Sequence, residues 1–173
     1  MAQYEEPKYS LIASFDKFEI RRYEQSILAI TERSSSNYKG SSGAFRIIAN
    51  YIFGGNISGQ RIAMTAPVHI WNESSEIPKL AFTLPSRYSL SDLPEPNDSR
   101  IKISLNEEAE VAVWKFSGLA GNTKTLRLIS KFKKILKEEG IEIIGDPKLA
   151  IYDNPWSTLP YARRNEIQIP VRL

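Results

Sequence analysis

Arg61-Ile62-Ala63-Met64-Thr65-Ala66-Pro67-Val68 puts an apolar side chain at every second position and closes on Thr-Ala-Pro. Period-two alternation of this kind predicts a strand with one buried face through Ile62, Met64, Ala66 and Val68, and Pro67 predicts an edge or a strand end because it has no amide to donate. Upstream, Gly54-Gly55-Asn56-Ile57-Ser58-Gly59-Gln60 is a connector. Before it, Ala44, Ile47, Ile48, Tyr51 and Ile52 follow the three-and-four rhythm of a helix with one buried stripe. Ser41 or Ser42 is placed to cap that helix and Gly54-Gly55 to end it. Downstream, Leu80, Phe82 and Leu84 alternate again before the turn-rich Leu93-Pro94-Glu95-Pro96-Asn97-Asp98.

Tyr9 to Arg33 carries apolar runs at Phe18 to Ile20 and Ile27 to Ile30, which predicts two short strands or one bent one, with a turn near Ser14 to Lys17. The order strand, helix, strand, strand then recurs. Ile101 to Leu105 and Val111 to Phe116 are strand-like, and Asn122 is placed to cap a helix carrying Leu126, Ile129, Phe132 and Leu136. Gly140 follows that helix, and Leu149 to Tyr152 and Glu166 to Val171 complete the set. Neither unit can bury a sheet face alone. The expected fold is therefore α+β: a curved antiparallel sheet or distorted, open β-barrel carrying two helices, built from two pseudo-symmetric βαββ-like halves within a single domain over residues 1–173.

The chain has 173 residues, of which 42% are hydrophobic, enough for one sizeable core. A net charge of +3 is too mild a bias to signal a nucleic-acid partner. With no Cys and one His, disulfides, thiolate sites, Cys nucleophiles and multi-histidine metal sites are excluded. The polar start Met1-Ala2-Gln3-Tyr4-Glu5-Glu6 lacks the pattern of a secretory signal, and no stretch is apolar for the length of a membrane span. The expected location is the cytoplasm.

Nothing matches a Gly-x-Ser-x-Gly elbow, and the loop at 54–60 lacks the Gly-Lys-Ser/Thr ending of a phosphate-binding loop. Lys131, Lys133, Lys134 and Lys137 read as the solvated face of the second helix. His69 follows the Thr-Ala-Pro-Val turn out of phase with the apolar positions and is expected to face solvent; it is a weak candidate for a metal ligand. Met64 reads as core filler or cavity wall. In the alternation Glu166-Ile167-Gln168-Ile169, Glu166 lies opposite the isoleucines, and its expected place is outside the barrel as an ordinary ion-pair partner. Facing inward it would pair with Arg163, Arg164 or a cationic ligand, and beside a hydroxyl such as that of Tyr152 or Tyr161 it would form an acid/base pair without a metal.

Three segments together carry a resemblance: Phe18-Glu19-Ile20-Arg21-Arg22-Tyr23, the stretch 61–68, and Arg163-Arg164-Asn165-Glu166-Ile167. Between them come Gly43-Ala44-Phe45-Arg46, Asn50-Tyr51-Ile52, Phe82-Thr83-Leu84-Pro85-Ser86, Phe116-Ser117-Gly118 and Tyr152-Asp153-Asn154-Pro155. In this order, from about Tyr9 to Val171, the chain resembles the SOUL/heme-binding protein family. The resemblance implies a distorted barrel of about eight strands with two helices, whose halves are similar to GyrI-like effector-binding domains. It also implies binding of heme or a related tetrapyrrole in an apolar cleft, as a carrier or buffer without redox catalysis. For such a flat ligand, Phe45, Ala49, Ile52 and Met64 are candidates for apolar wall, and Arg46 and Arg61 for the two propionates. Some members carry a His at the position of Arg22, proposed there as an axial ligand; a guanidinium cannot ligate iron, so the iron would be open, water-ligated, or held by a Tyr or His69. The competing readings are a GyrI-like small-molecule binder or metal-free hydrolase using Glu166 and a Tyr, and a protein-interaction module with no ligand.

Overall fold

A computed structural model describes residues 4–35, 38, 42–72, 77–153 and 163–173. Among these the strands are β1 (Tyr9–Ser14), β2 (Glu19–Tyr23), β3 (Ser26–Glu32), β4 (Val68–Asn72), β5 (Pro78–Thr83), β6 (Lys102–Asn106), β7 (Ala109–Ser117), β8 (Glu142–Ile143), β9 (Lys148–Ile151) and β10 (Arg164–Arg172). The helices are α1 (Ser42–Ile52) and α2 (Asn122–Glu138). Every strand pairing is antiparallel, and the sheet runs β1-β2-β7-β10-β9-β4-β5-β3-β6, with β8 added on β10.

From β2 to β6 this order is a palindrome. Exchanging β2 with β6, β7 with β3, β10 with β5 and β9 with β4 returns the same sheet, so a pseudo-twofold passes between β9 and β4, and each half is a βαββ unit with one extra strand. The two extra strands close the curl. Only Glu24-Gln25 separates β2 from β3, and only Glu107-Glu108 separates β6 from β7. Pairing runs from Glu19↔Val113 to Tyr23↔Ala109 and resumes in the same register from Ser26↔Asn106 to Ile30↔Lys102. These are two bent ribbons lying along each other, and their bend joins the two ends of the curved sheet.

One face of the sheet is apolar and carries both helices. Ile20, Ala112, Ile167, Ile169, Leu149, Ile70, Leu80, Phe82 and Ala29 face Ile48, Tyr51 and Ile52 of α1 and Ile129, Phe132 and Leu136 of α2 in one core. Phe132 sits edge-on between Phe18 and Trp114, with ring centroids 5.4 and 5.5 Å away. The end of α2 is set by Gly140 at φ 72°: its amide bonds Lys137 O at 3.1 Å and the Ile141 amide bonds Leu136 O at 2.9 Å, the paired C-terminal bonds that glycine permits.

Four local expectations are corrected. The stretch from Ile62 to Pro67 is not a strand; Thr65 makes only an isolated bridge to Glu5, and the ladder begins at Val68, after Pro67. Its alternation reflects loop packing, with Ile62 and Ala66 buried and the Thr65 hydroxyl bonded to Thr83 O. Asn122 does not cap α2. Gly121 holds that position, and Asn122 Oδ1 accepts the Tyr38 amide at 3.1 Å, tying the helix start to the loop before α1. Leu126 is 49% exposed, while Thr125 takes the buried place. Tyr9 to Arg33 forms three strands, with the expected turn between β1 and β2. Ser41, one of the two caps expected for α1, lies outside the described residues.

Candidate functional site

The other face of the sheet is concave and polar. Cross-strand partners share a face, so the pairings Glu166↔Ala150, Ala150↔His69, Gln168↔Val113 and Arg21↔Val111 place Glu166, Gln168, His69 and Arg21 together on it. β10 lies inside the curl between β7 and β9, and both of its alternating sets are buried.

Glu166 is therefore not an outward ion-pair partner but a 2% exposed carboxylate at the floor of the concavity. Its oxygens accept Arg21 Nη1 at 3.0 and 3.1 Å, the Tyr152 hydroxyl at 2.7 Å and Gln168 Nε2 at 2.9 Å. Arg21 also donates to the Tyr23 hydroxyl at 2.7 Å and to Glu19 at 2.7 Å, and its guanidinium lies 4.3 Å from the centre of the Tyr9 ring. Of the partners expected for an inward Glu166, Tyr152 is found, Arg164 pairs with Glu6, Tyr161 lies outside the described residues, and a cation comes from Arg21, 145 residues away in sequence.

Electrostatics follow from burial. Desolvation works against the charge on Arg21, yet Glu166 above all, with Tyr23 and Glu19, holds its pKa above the usual arginine value. Burial first and the Glu166 carboxylate second push the Tyr23 phenol up to about 12 and raise Tyr152 as well, so both stay protonated. Because the Gln168 amide nitrogen donates to Glu166, its oxygen faces His69 Nε2 at 3.0 Å, so this nitrogen carries the proton in the neutral ring. Burial, then the charge of Lys148, lowers the His69 pKa to about 4. The expectation that His69 faces solvent is corrected: strand β4 turns it into the concavity, where it is half-buried. Above the floor lies a pocket of about 120 Å³, walled by Tyr23, His69, Tyr152, Gln168, Lys148 and the bend residue Glu107. Tyr152 donates its proton to a carboxylate that already accepts from Arg21 and Gln168, so this is a saturated network rather than an idle general base.

The residues expected to wall an apolar cleft for a tetrapyrrole lie on the opposite side of the sheet, on and beside α1, where Phe45, Arg46 and Arg61 form an exposed surface rather than a cleft. Phe45 is 39% exposed and packs on Phe82 with ring centroids 5.5 Å apart. Phe53, 51% exposed, continues the helical bonding through its amide to Ala49 O at 2.9 Å. Phe45 and Phe53 thus form one ridge at multiples of four-residue spacing, with Ala49 buried between them, and Arg46, seven residues before Phe53, flanks it. The connector after α1 folds back through Asn56, whose side chain donates to Tyr51 O and Gln60 O, and this brings the Arg61 guanidinium within 5.5 Å of the Phe53 ring centre. Arg46 and Arg61 are exposed, Met64 is half-buried against the core, and Ile52 backs the ridge from inside. Phe53 was not singled out in the sequence; its place one helical turn after Ala49 was the available signal. Arg22 lies at the surface and pairs with Glu110 at 2.9 Å. Lys131, Lys133, Lys134 and Lys137 of α2 are exposed, as expected of a solvated face. Among the described residues no cluster of three or more His, Asp or Glu is arranged to hold a metal ion, and no helix is long and apolar enough to cross a membrane.

The sequence model of the family described as SOUL heme-binding protein matches residues 4–170. The chain belongs to the SOUL heme-binding family. Curated protein sequences give no match to this SOUL protein. Among solved structures, it is similar to the C-terminal domain of EcmrR, with a TM-score of 0.68 at 10% identity over 95% of this chain and 98% of that one. A hydrolase encoded by lin2189 from Listeria innocua gives 0.59 at 14% identity over 90% and 92%. SAV2435 bound to tetraphenylphosphonium gives 0.56 at 10% identity over 90% and 94%. At these identities the likeness is one of fold, and it places this SOUL protein in the α+β half-barrel architecture expected from its GyrI-like halves.

Proposed function

We propose that this SOUL protein binds heme or a related tetrapyrrole on the α1 ridge, as a cytoplasmic carrier or buffer rather than a catalyst. The observation that carries the reading is the pairing of exposed aromatic surface with exposed cations: Phe45 and Phe53 on one ridge, flanked by Arg46 and Arg61. A flat apolar ring covers the phenylalanines, with Ala49 and Met64 beside them and Ile52 beneath, and its propionates meet the two guanidiniums through charge-assisted hydrogen bonds. The concave pocket, at about 120 Å³, is too small for such a ring. The donor set of the ridge fits a macrocycle and its carboxylates but offers the iron no imidazole, since His69 lies on the other face and Arg22 is paired with Glu110. Bound heme would bring its own redox-active iron; the chain supplies an apolar face and cations for the propionates.

Arg46→Ala and Arg61→Ala test the assignment. Exposed ion pairs contribute about 0.2–1 kcal/mol, so each substitution should weaken hemin binding by about 1.4- to fivefold, and both together more. Unchanged affinity in both variants removes the propionate assignment.

A second reading, small-molecule binding in the concave pocket, is favoured by the tyrosines, His69 and Gln168 that converge there above Glu166. SAV2435 holds a lipophilic cation. Here the buried carboxylate already has a cation in Arg21, so the ligand suited to this pocket is small and uncharged.

A further inference from the structure

The surroundings of the Arg21 guanidinium are those with which proteins recognise a cationic ligand. An aromatic face lies 4.3 Å away in Tyr9, a buried carboxylate stands at 3.0 Å in Glu166, a second carboxylate at 2.7 Å in Glu19, and a phenol oxygen accepts at 2.7 Å in Tyr23. Tyr152 and Gln168 hold the Glu166 carboxylate in place from the pocket side. Arg21 is itself buried, reaches this position from β2, and is separated from Glu166 by β7 in the sheet order. Lys115 stands 3.8 Å from Glu19, so the Arg21 guanidinium is the buried cation that Glu166 meets directly.

We propose that Glu166, Glu19, Tyr9 and Tyr23 form a guanidinium-binding box which the chain fills with its own Arg21, making Arg21 the residue that denies the concave face to external cations. The box adjoins the concave pocket, with which it shares Tyr23, and is separate from the α1 ridge, on the opposite face of the sheet. The inference deepens the second reading of function, yet it is tested without any natural ligand, so failure of either reading leaves the other open to test.

Arg21→Ala vacates the space of a short alkylguanidinium. Ethylguanidinium at millimolar concentration, with N-ethylurea as its neutral isostere, is titrated into wild type, Arg21→Ala and Arg21→Ala/Glu166→Gln, with thermal melting and calorimetry as readouts. The expected result is saturable binding of the cation to Arg21→Ala, at least tenfold tighter than of the urea, and loss of that preference in the double variant and in wild type. A folded Arg21→Ala that takes both probes equally, or neither, overturns the proposal, as does wild-type binding equal to the variant's. Should Arg21→Ala not fold alone, refolding from urea with each probe reads the same site. Recovery with ethylguanidinium only supports the box; equal recovery, or none, refutes it.

Discussion

At the wall of the concave pocket, His69 gives its Nε2 proton to Gln168, whose orientation is fixed in turn by Glu166. The folded protein thus favours a neutral ring, with a pKa lowered to about 4 against about 6.5 in the unfolded chain. Between those values the unfolded state binds the extra proton, so stability rises with pH there. The contribution is complete above about pH 6.5 and is lost as the pH falls toward 4. Urea midpoints should therefore decline from pH 7 to pH 4.5 in wild type, and decline less in His69→Asn. Equal slopes in the two proteins would mean that His69 is not held neutral. Little of this was legible in the sequence. Alternation placed Glu166 and His69 correctly on the non-apolar face of their strands but could not say that this face is inside the curl. The partner of Glu166 lies at Arg21, and a pairing across 145 residues leaves no local trace.

At the scale of elements, periodicity was the reliable guide wherever a helix or strand buries one face against the core. The α1 stripe follows it, as do Ile129, Phe132 and Leu136 of α2, while in β5 and β10, buried on both faces, the apolar alternation marks the helix side. It failed where burial comes from elsewhere. Ile62 and Ala66 alternate because the loop that carries them packs on the core and on Ala150 and Tyr152, and Leu126 sits one position off the stripe, where Thr125 is fully buried instead. These two positions on α2 give a direct contrast. Phe132→Ala removes a ring packed between Phe18 and Trp114 and should cost about 3–5 kcal/mol in chemical denaturation. Leu126→Ala, at the surface, should stay within about 0.5 kcal/mol of wild type. Comparable losses at the two sites would contradict the assignment of the buried face.

For the whole molecule, the two faces of one sheet divide the labour, and the pseudo-twofold gives each half one helix on the same face. The helix face holds the core and presents the aromatic and arginine ridge of α1; the concave face holds the network around Glu166, closed over by the bend of the two ribbons. The binding surface assigned to the tetrapyrrole owes nothing to His69, so the account requires that iron be secondary to ring burial. The most direct test is a titration of the purified protein with hemin, followed by the Soret band, and with metal-free protoporphyrin, followed by quenching of tryptophan fluorescence. The account predicts saturable one-to-one binding of both, with affinities within about tenfold, which corresponds to no more than about 1.4 kcal/mol from the metal. Binding of hemin alone, abolished by His69→Asn, or no saturable binding of either, would contradict it.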